Sequence, residues 1–244
     1  MTLTPYLSIV LPAHNEESRL PAAIQQIEKY LANHTFDSEV VIVENASNDR
    51  TLELAEEFAR RNSNCHVLRE SRPGKGNAVR TGILAASGRY RFVCDVDLSM
   101  SVDQIDSFLP PRREGYDIAI GSREAPGAER LGEPISRHLV GRVFNTMVRW
   151  LTLPQLQDTQ CGFKCFTAEA AEALFPLQTL NGWAFDVEIL AVALRKGYKV
   201  IEVPIRWQYF TGSKIHMLRD SLHMALDLLT IRRQLRRGVY DQKA

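Results

Sequence analysis

Several features that would assign a chain at once are scarce or missing here. Only four cysteines occur in 244 residues: Cys65, Cys94, Cys161 and Cys165. A chain of this length builds its own hydrophobic core, so reduced and mostly buried thiols are expected rather than a disulfide framework. Cys161-Gly-Phe-Lys-Cys165 is spaced more widely than a CxxC pair, and no second pair or nearby histidine completes a zinc site. No apolar run approaches the ~18 residues of a membrane span, and the N-terminus passes straight into a strand pattern rather than a secretory leader. An excess of one charge is absent too. The 30 Lys and Arg balance 29 Asp and Glu to a net +1, which removes any general electrostatic case for nucleic acid. Two phosphate-binding signatures are also missing. There is no G-x-x-x-x-G-K-[ST] loop and no G-x-G-x-x-G after the first strand, which disfavours a P-loop ATPase and a dinucleotide-binding Rossmann site. No Ser-His-Asp order stands out, and His14, His138, His216 and His223 have no metal-ligand spacing.

What is present is a globular composition, with 45% hydrophobic and 24% charged residues. Short apolar runs alternate with helical periodicity. Strands are expected at 7–11, 40–43, 65–68, 90–94 and 117–120, and helices at 15–31, 51–60, 77–86 and 102–109. Ser47 or Asp49 is suited to cap the helix at 51–60. Nearly continuous apolar strands alternating with helices predict an α/β fold whose mostly parallel sheet carries helices on both faces. Beyond residue 122 the pattern changes. A polar Gly- and Pro-containing stretch at 124–133 reads as a mobile loop. Helices are expected at 137–151 and 183–195, a turn and strand over 158–166, and a strand at 199–203. With no repeat or linker, residues 1–244 read as one domain ending in an amphipathic helical tail at 213–238. In that tail Ile215, Leu218, Leu222, Ala225, Leu226, Leu229 and Leu235 fall near helical spacing, ahead of a basic cluster at 231–237.

Open parallel sheets bind ligands beyond the carboxyl ends of their strands. Glu44, Asn45, Arg69, Asp95, Asp97, Ser122 and Arg123 all fall at such ends. Asp95-Val96-Asp97 follows the apolar run at 91–94. Two carboxylates there suit a magnesium-like ion bound to a diphosphate, although the same pair can be a polar strand end. Arg72-Pro73-Gly74-Lys75-Gly76 is a basic turn before a helix, able to bring Lys75 and Arg80 to a phosphate or simply to start a solvated helix. Arg123, Arg130 and Arg137 surround the polar stretch, and arginine's planar fork suits phosphate. Asp158 reads as a turn carboxylate or a site residue. Asp186 and Glu188 are two apart on a helix, so they do not share a face and do not act as an adjacent pair.

Taken together, these motifs resemble the inverting family-2 glycosyltransferases of GT-A fold, and among them the polyprenyl-phosphate branch that includes dolichyl-phosphate glucosyltransferases. The likeness runs from Leu11-Pro12-Ala13-His14-Asn15-Glu16 to Gly212-Ser213-Lys214. It includes the 43–49 and 72–80 segments, Asp95-Val96-Asp97, Gly121-Ser122-Arg123, the 158–164 segment and Trp183-Ala184-Phe185-Asp186-Val187-Glu188. The resemblance implies a metal-dependent hexosyltransferase moving a hexose, with glucose expected, from a nucleotide sugar such as UDP-glucose to a polyprenyl or dolichyl phosphate. GDP-mannose as donor, a soluble hydroxyl acceptor, and a non-catalytic nucleotide-sugar-binding protein are the alternatives.

On this resemblance Pro12, Ala13, Asn15 and Glu16 shape the nucleotide pocket and Glu44 contacts base or ribose. Glu44 and Asn45 stand where many relatives carry Asp. Lys75 lies beside the nucleotide, Asp95 and Asp97 handle Mg2+ or Mn2+ and the donor, and Arg123 and Arg137 are candidates for the acceptor phosphate. Asp186 is the candidate for a base-like or orienting role, and Asp158 orients the sugar or a cationic partner. A lipid acceptor implies a cytoplasmic protein in peripheral contact with the membrane face.

Overall fold

A computed structural model of the chain describes residues 4–97, 99–210 and 217–241. The expected tail residue Ile215, and the side chains of Leu218, Leu222 and Arg137, lie outside what it describes.

Four strands start the fold: β1 (Leu7–Ala13), β2 (Ser38–Asn45), β3 (Cys65–Glu70) and β4 (Tyr90–Val93). They are joined by α1 (Leu20–Ala32), α2 (Thr51–Arg61) and α3 (Lys75–Ala85). After β5 (Ile118–Ser122) come β6 (Glu129–Leu131), α4 (Ile135–Leu151), β7 (Lys164–Thr167), α5 (Ala168–Leu174), α6 (Phe185–Arg195), β8 (Val200–Pro204), β9 (Arg206–Gln208) and α7 (Met217–Arg237). The main sheet has seven strands in the order β3-β2-β1-β4-β7-β5-β8. All its neighbours are parallel except β7, which runs antiparallel to both β4 and β5.

Strand alternation divides the core between the two faces of the sheet. Leu7, Ile9 and Leu11 of β1, Val40 and Ile42 of β2, and Phe92 of β4 pack with Leu20, Ile27 and Phe58 from α1 and α2. The intervening Val10, Val41, Val43 and Val93 pack with Val79 and Ile83 of α3 and with residues of α5, α6 and α7. Burial on both faces explains why these strands read as continuous apolar runs. The four cysteines are free and buried, and desolvation pushes the thiols of Cys161 and Cys165 up to about 12. They are inert packing groups.

Three expectations change in detail. Helix α1 begins at Leu20 rather than near residue 15, because Asn15 adopts a left-handed backbone (φ 52°) and is tied into the turn after β2. The 102–109 segment is a short 3-10 turn over Val102–Ser107. The 124–133 stretch is not a featureless loop, since β6 within it pairs in parallel with β9. Asp49 accepts the Thr51 backbone N–H at 3.0 Å at the entry to α2, whereas Ser47 accepts the Asn15 N–H at 3.1 Å.

Candidate active site

The carboxyl ends of β1, β2, β4 and β5 open into a cavity of about 730 Å³. The reversed β7 enters the sheet between β4 and β5, so its approach segment, 158–163, meets the same edge. Lys164 pairs in register with Val93 on one side and Ile120 on the other. The cavity wall thus includes Pro12, Ala13, Asn15 and Glu16 after β1, Lys75 at the start of α3, Asp95 and Asp97 after β4, Arg123 after β5, Asp158 before β7 and Asp186 on α6.

Opposite charges meet in pairs around this wall. Lys75 Nζ lies 2.7 Å from Asp95 Oδ1 and 2.8 Å from Oδ2, and 5.4 Å from the centre of the Trp183 ring. Burial opposes the charge on Lys75, but Asp95, Asp186 and Asp97 outweigh it and hold its pKa above the usual lysine value. Lys164 Nζ lies 3.1 Å from Asp186 Oδ1 and also donates to the Cys161 carbonyl. For Asp186, burial outweighs the attraction of Lys164 and Lys75, so its carboxyl sits above the ordinary range. Arg123 grips Asp158 through both carboxylate oxygens, Nε to Oδ2 at 2.7 Å and Nη2 to Oδ1 at 2.9 Å, and its backbone N–H adds a third bond at 3.0 Å. Burial would raise the Asp158 pKa, but Arg123 lowers it to about 2. Arg130 pairs with Glu124 and Glu133 at 2.5 and 2.7 Å. The Trp207 ring lies beneath the guanidinium groups of both Arg123 and Arg130.

The second carboxylate of the acidic pair is less engaged. Asp97 Oδ1 accepts the Ser99 N–H at 3.0 Å, and Oδ2 has no protein partner among the described residues. No group of three acidic, His or Cys side chains able to hold a metal occurs among the described residues. The donor set still fits a hard divalent ion. Two carboxylates on one cavity wall suit a cation that takes its remaining oxygens from phosphate and water.

Glu44 and Asn45 part company. Glu44 is buried, accepts the Ser47 N–H at 2.5 Å and lies 3.8 Å from Arg69, and it is not among the cavity-lining residues. Asn45 does line the cavity and clamps the lysine loop. Its Nδ2 donates to the Glu70 and Arg72 carbonyls at 2.8 Å each, and its Oδ1 accepts the Gly74 N–H at 2.9 Å. A carboxylate cannot supply the two donor bonds, which accounts for an amide here.

Asp186 and Glu188 separate as helical spacing requires. Asp186 lines the cavity, while fully buried Glu188 accepts from the Thr179 and Leu180 backbones and from the Tyr240 hydroxyl at 2.7 Å. Glu188 therefore braces the 179–181 turn, whose Asn181 carbonyl receives the Gly76 N–H at 2.9 Å. Two aromatic residues, Trp183 and Trp207, and the cation Lys164 enter the site without a role assigned from the sequence. A lysine heading the buried strand Lys-Cys-Phe-Thr was the available signal for the last.

The model of the family described as Glycosyl transferase family 2 matches residues 8–175. The chain belongs to glycosyl transferase family 2. Among its relatives, a dolichyl-phosphate beta-glucosyltransferase of Dictyostelium discoideum is 32% identical, covering 98% of this chain and 77% of that protein. The Mus musculus enzyme of the same name is 33% identical, covering 98% of this chain and 79% of that protein. Glucosyl-3-phosphoglycerate synthase from Mycobacterium tuberculosis, solved with Mn2+ and UDP-glucose, shares the fold. Its TM-score is 0.64 at 20% identity, covering 93% of this chain and 79% of that one. This family-2 glycosyltransferase accordingly has the GT-A architecture, and the antiparallel β7 is what brings the Asp158 and Lys164 segments to the cavity edge of the sheet.

Proposed function

We propose that the protein transfers glucose, with inversion, from UDP-glucose to dolichyl phosphate or a related polyprenyl phosphate. The observation that carries this reading is one cavity lined by the Asp95 and Asp97 carboxylates, Asp186 and the aromatic-backed Arg123 and Arg130. The names of the relatives, which match over almost the whole chain, support the choice of sugar and acceptor.

In this reading the nucleotide lies against Pro12, Ala13, Asn15 and Glu16, with Glu44 holding the turn after β2. An anionic lipid-phosphate oxygen attacks the anomeric carbon of glucose, the glucose–phosphate bond to UDP breaks, and UDP departs. A phosphate is already ionised near neutral pH, with its second pKa about 6, so it needs less help from a base than an alcohol does. Asp186, held by Lys164, orients the acceptor and sugar rather than having to abstract a proton. Asp158 acts through Arg123. It fixes one edge of the guanidinium, through Nε and Nη2, and leaves other N–H donors for the acceptor phosphate, and Arg137 is proposed to join it. Asp95 and Asp97 would hold Mg2+ or Mn2+, which when bound supplies positive charge to the departing diphosphate.

Peripheral membrane contact belongs to the same proposal. No described helix is long and apolar enough to cross a membrane. Helix α4, however, exposes Ile135 at 87%, Val143 at 66% and Trp150 at 89%, and α7 exposes Leu226 and Leu229 beside Arg232, Arg233 and Arg236.

The direct test supplies radiolabelled UDP-glucose or GDP-mannose with either polyprenyl phosphate or soluble acceptors, in Mg2+, Mn2+ or EDTA. Label from UDP-glucose should enter the organic phase with polyprenyl phosphate and either ion, and not in EDTA. Transfer only to a soluble acceptor would overturn the lipid assignment, and undiminished transfer in EDTA the metal one.

A further inference from the structure

One of the two carboxylates proposed to receive a divalent ion is already neutralised from within the protein. Both oxygens of Asp95 lie within 2.8 Å of Lys75 Nζ. A Cβ on Gly162 would overlap the Asp95 carboxylate, so close backbone packing limits where that side chain can turn. One oxygen of Asp97 is committed to the Ser99 N–H. In the absence of donor the Asp95 and Asp97 pair therefore offers an ion little more than one uncommitted carboxylate oxygen among the described residues. A hard cation seeks six or more oxygens.

We propose that Lys75 is an internal counter-ion that makes divalent-ion binding conditional on the donor diphosphate. Without donor, the ammonium occupies Asp95. When a nucleoside diphosphate enters, its oxygens attract the ammonium and Asp95 becomes available to the ion, which the diphosphate also ligates. The local architecture allows this exchange. The backbone around Lys75 is pinned, since Gly74 N–H donates to Asn45 Oδ1 and Gly76 N–H to the Asn181 carbonyl. The lysine's four-carbon stem is flexible and its ammonium is a point charge without the fixed fork of arginine. Its side chain keeps 17% exposure on the cavity side and so has room to swing. By linkage, the factor by which diphosphate raises metal affinity equals the factor by which metal raises diphosphate affinity. The inference rests on the nucleoside-diphosphate reading, but its first arm uses no nucleotide and no turnover.

Mn2+ titration followed by the electron paramagnetic resonance of the free ion tests it, with the intact chain and Lys75→Met, with and without UDP. Without UDP, Lys75→Met should bind Mn2+ about 10-fold tighter than the parent, the order expected for removing one unit charge beside a partly solvated site. Lys75→Arg, which keeps the charge, should bind as weakly as the parent. Adding Asp95→Asn to Lys75→Met should abolish the gain, tying it to this carboxylate. UDP should raise Mn2+ affinity more in the parent than in Lys75→Met. A mere loss of packing would not tighten metal binding. Equal Mn2+ affinity of parent and Lys75→Met without nucleotide would overturn the proposal, whereas failure to transfer glucose would leave that comparison standing.

Discussion

Asp186 and Lys164 meet at 3.1 Å, both almost fully buried. Burial raises the carboxyl pKa and the ammonium restrains that rise. If Asp186 works as a carboxylate, activity is lost as pH falls through its raised pKa. Removing the cation leaves desolvation less opposed, so Lys164→Met should move the acid limb of the kcat/KM profile to higher pH. An unchanged acid limb in a folded variant would detach Asp186 ionisation from turnover. At this scale the sequence displayed the carboxylates and arginines, while their partners lay out of view. Lys75 and Asp95 are 20 residues apart and Arg123 and Asp158 are 35 apart, beyond any local pattern. The reading of Glu44 as a contact for base or ribose did not foresee that it braces its own turn, and nothing local in the sequence announced that Asn45 clamps the lysine loop.

At the scale of elements, β7 has the largest consequence. Its apolar run announced a strand, but direction depends on which neighbours it joins. Insertion antiparallel between β4 and β5 presses Gly162 against the Asp95 carboxylate. Gly162→Ala should therefore displace Asp95. We expect the variant to fold while glucosyl transfer falls by about 100-fold, the usual scale for an ångström of misplacement in an active site. Circular dichroism together with the transfer assay checks this, and near-parental turnover would refute the tight packing. The 124–133 stretch has a similar lesson. Its polar composition hid β6, a strand whose partner β9 lies 77 positions further on.

For the whole molecule, the outer surfaces of α4 and α7 bear on lipid access. The tail stripe read from periodicity divides in the structure. Of that stripe Leu235 packs partly against the core and Leu226 and Leu229 face outward with the arginines, while Leu228 and Ile231, which the stripe did not include, are fully buried in the core. The protein should float with anionic vesicles at low salt and release at high salt, because exposed charge attraction is screened. Trp150→Glu on α4 should weaken flotation while leaving the circular dichroism spectrum intact, since that ring is 89% exposed. Absence of flotation at low salt, even with polyprenyl phosphate in the vesicles, would argue against membrane contact.

The sequence by itself determined the order and kind of most elements, the two-sided burial of the sheet and the carboxylates that end its strands. Those features are written in periods of two and 3.6 residues and in local turn chemistry. Only the tertiary structure decided the direction of β7, the division of Asp186 from Glu188, and which charge neutralises which. Such pairings depend on distances across the sheet edge, and Asp95 met Lys75 there because folding withdrew both in large part from water and left each as the other's nearest compensation.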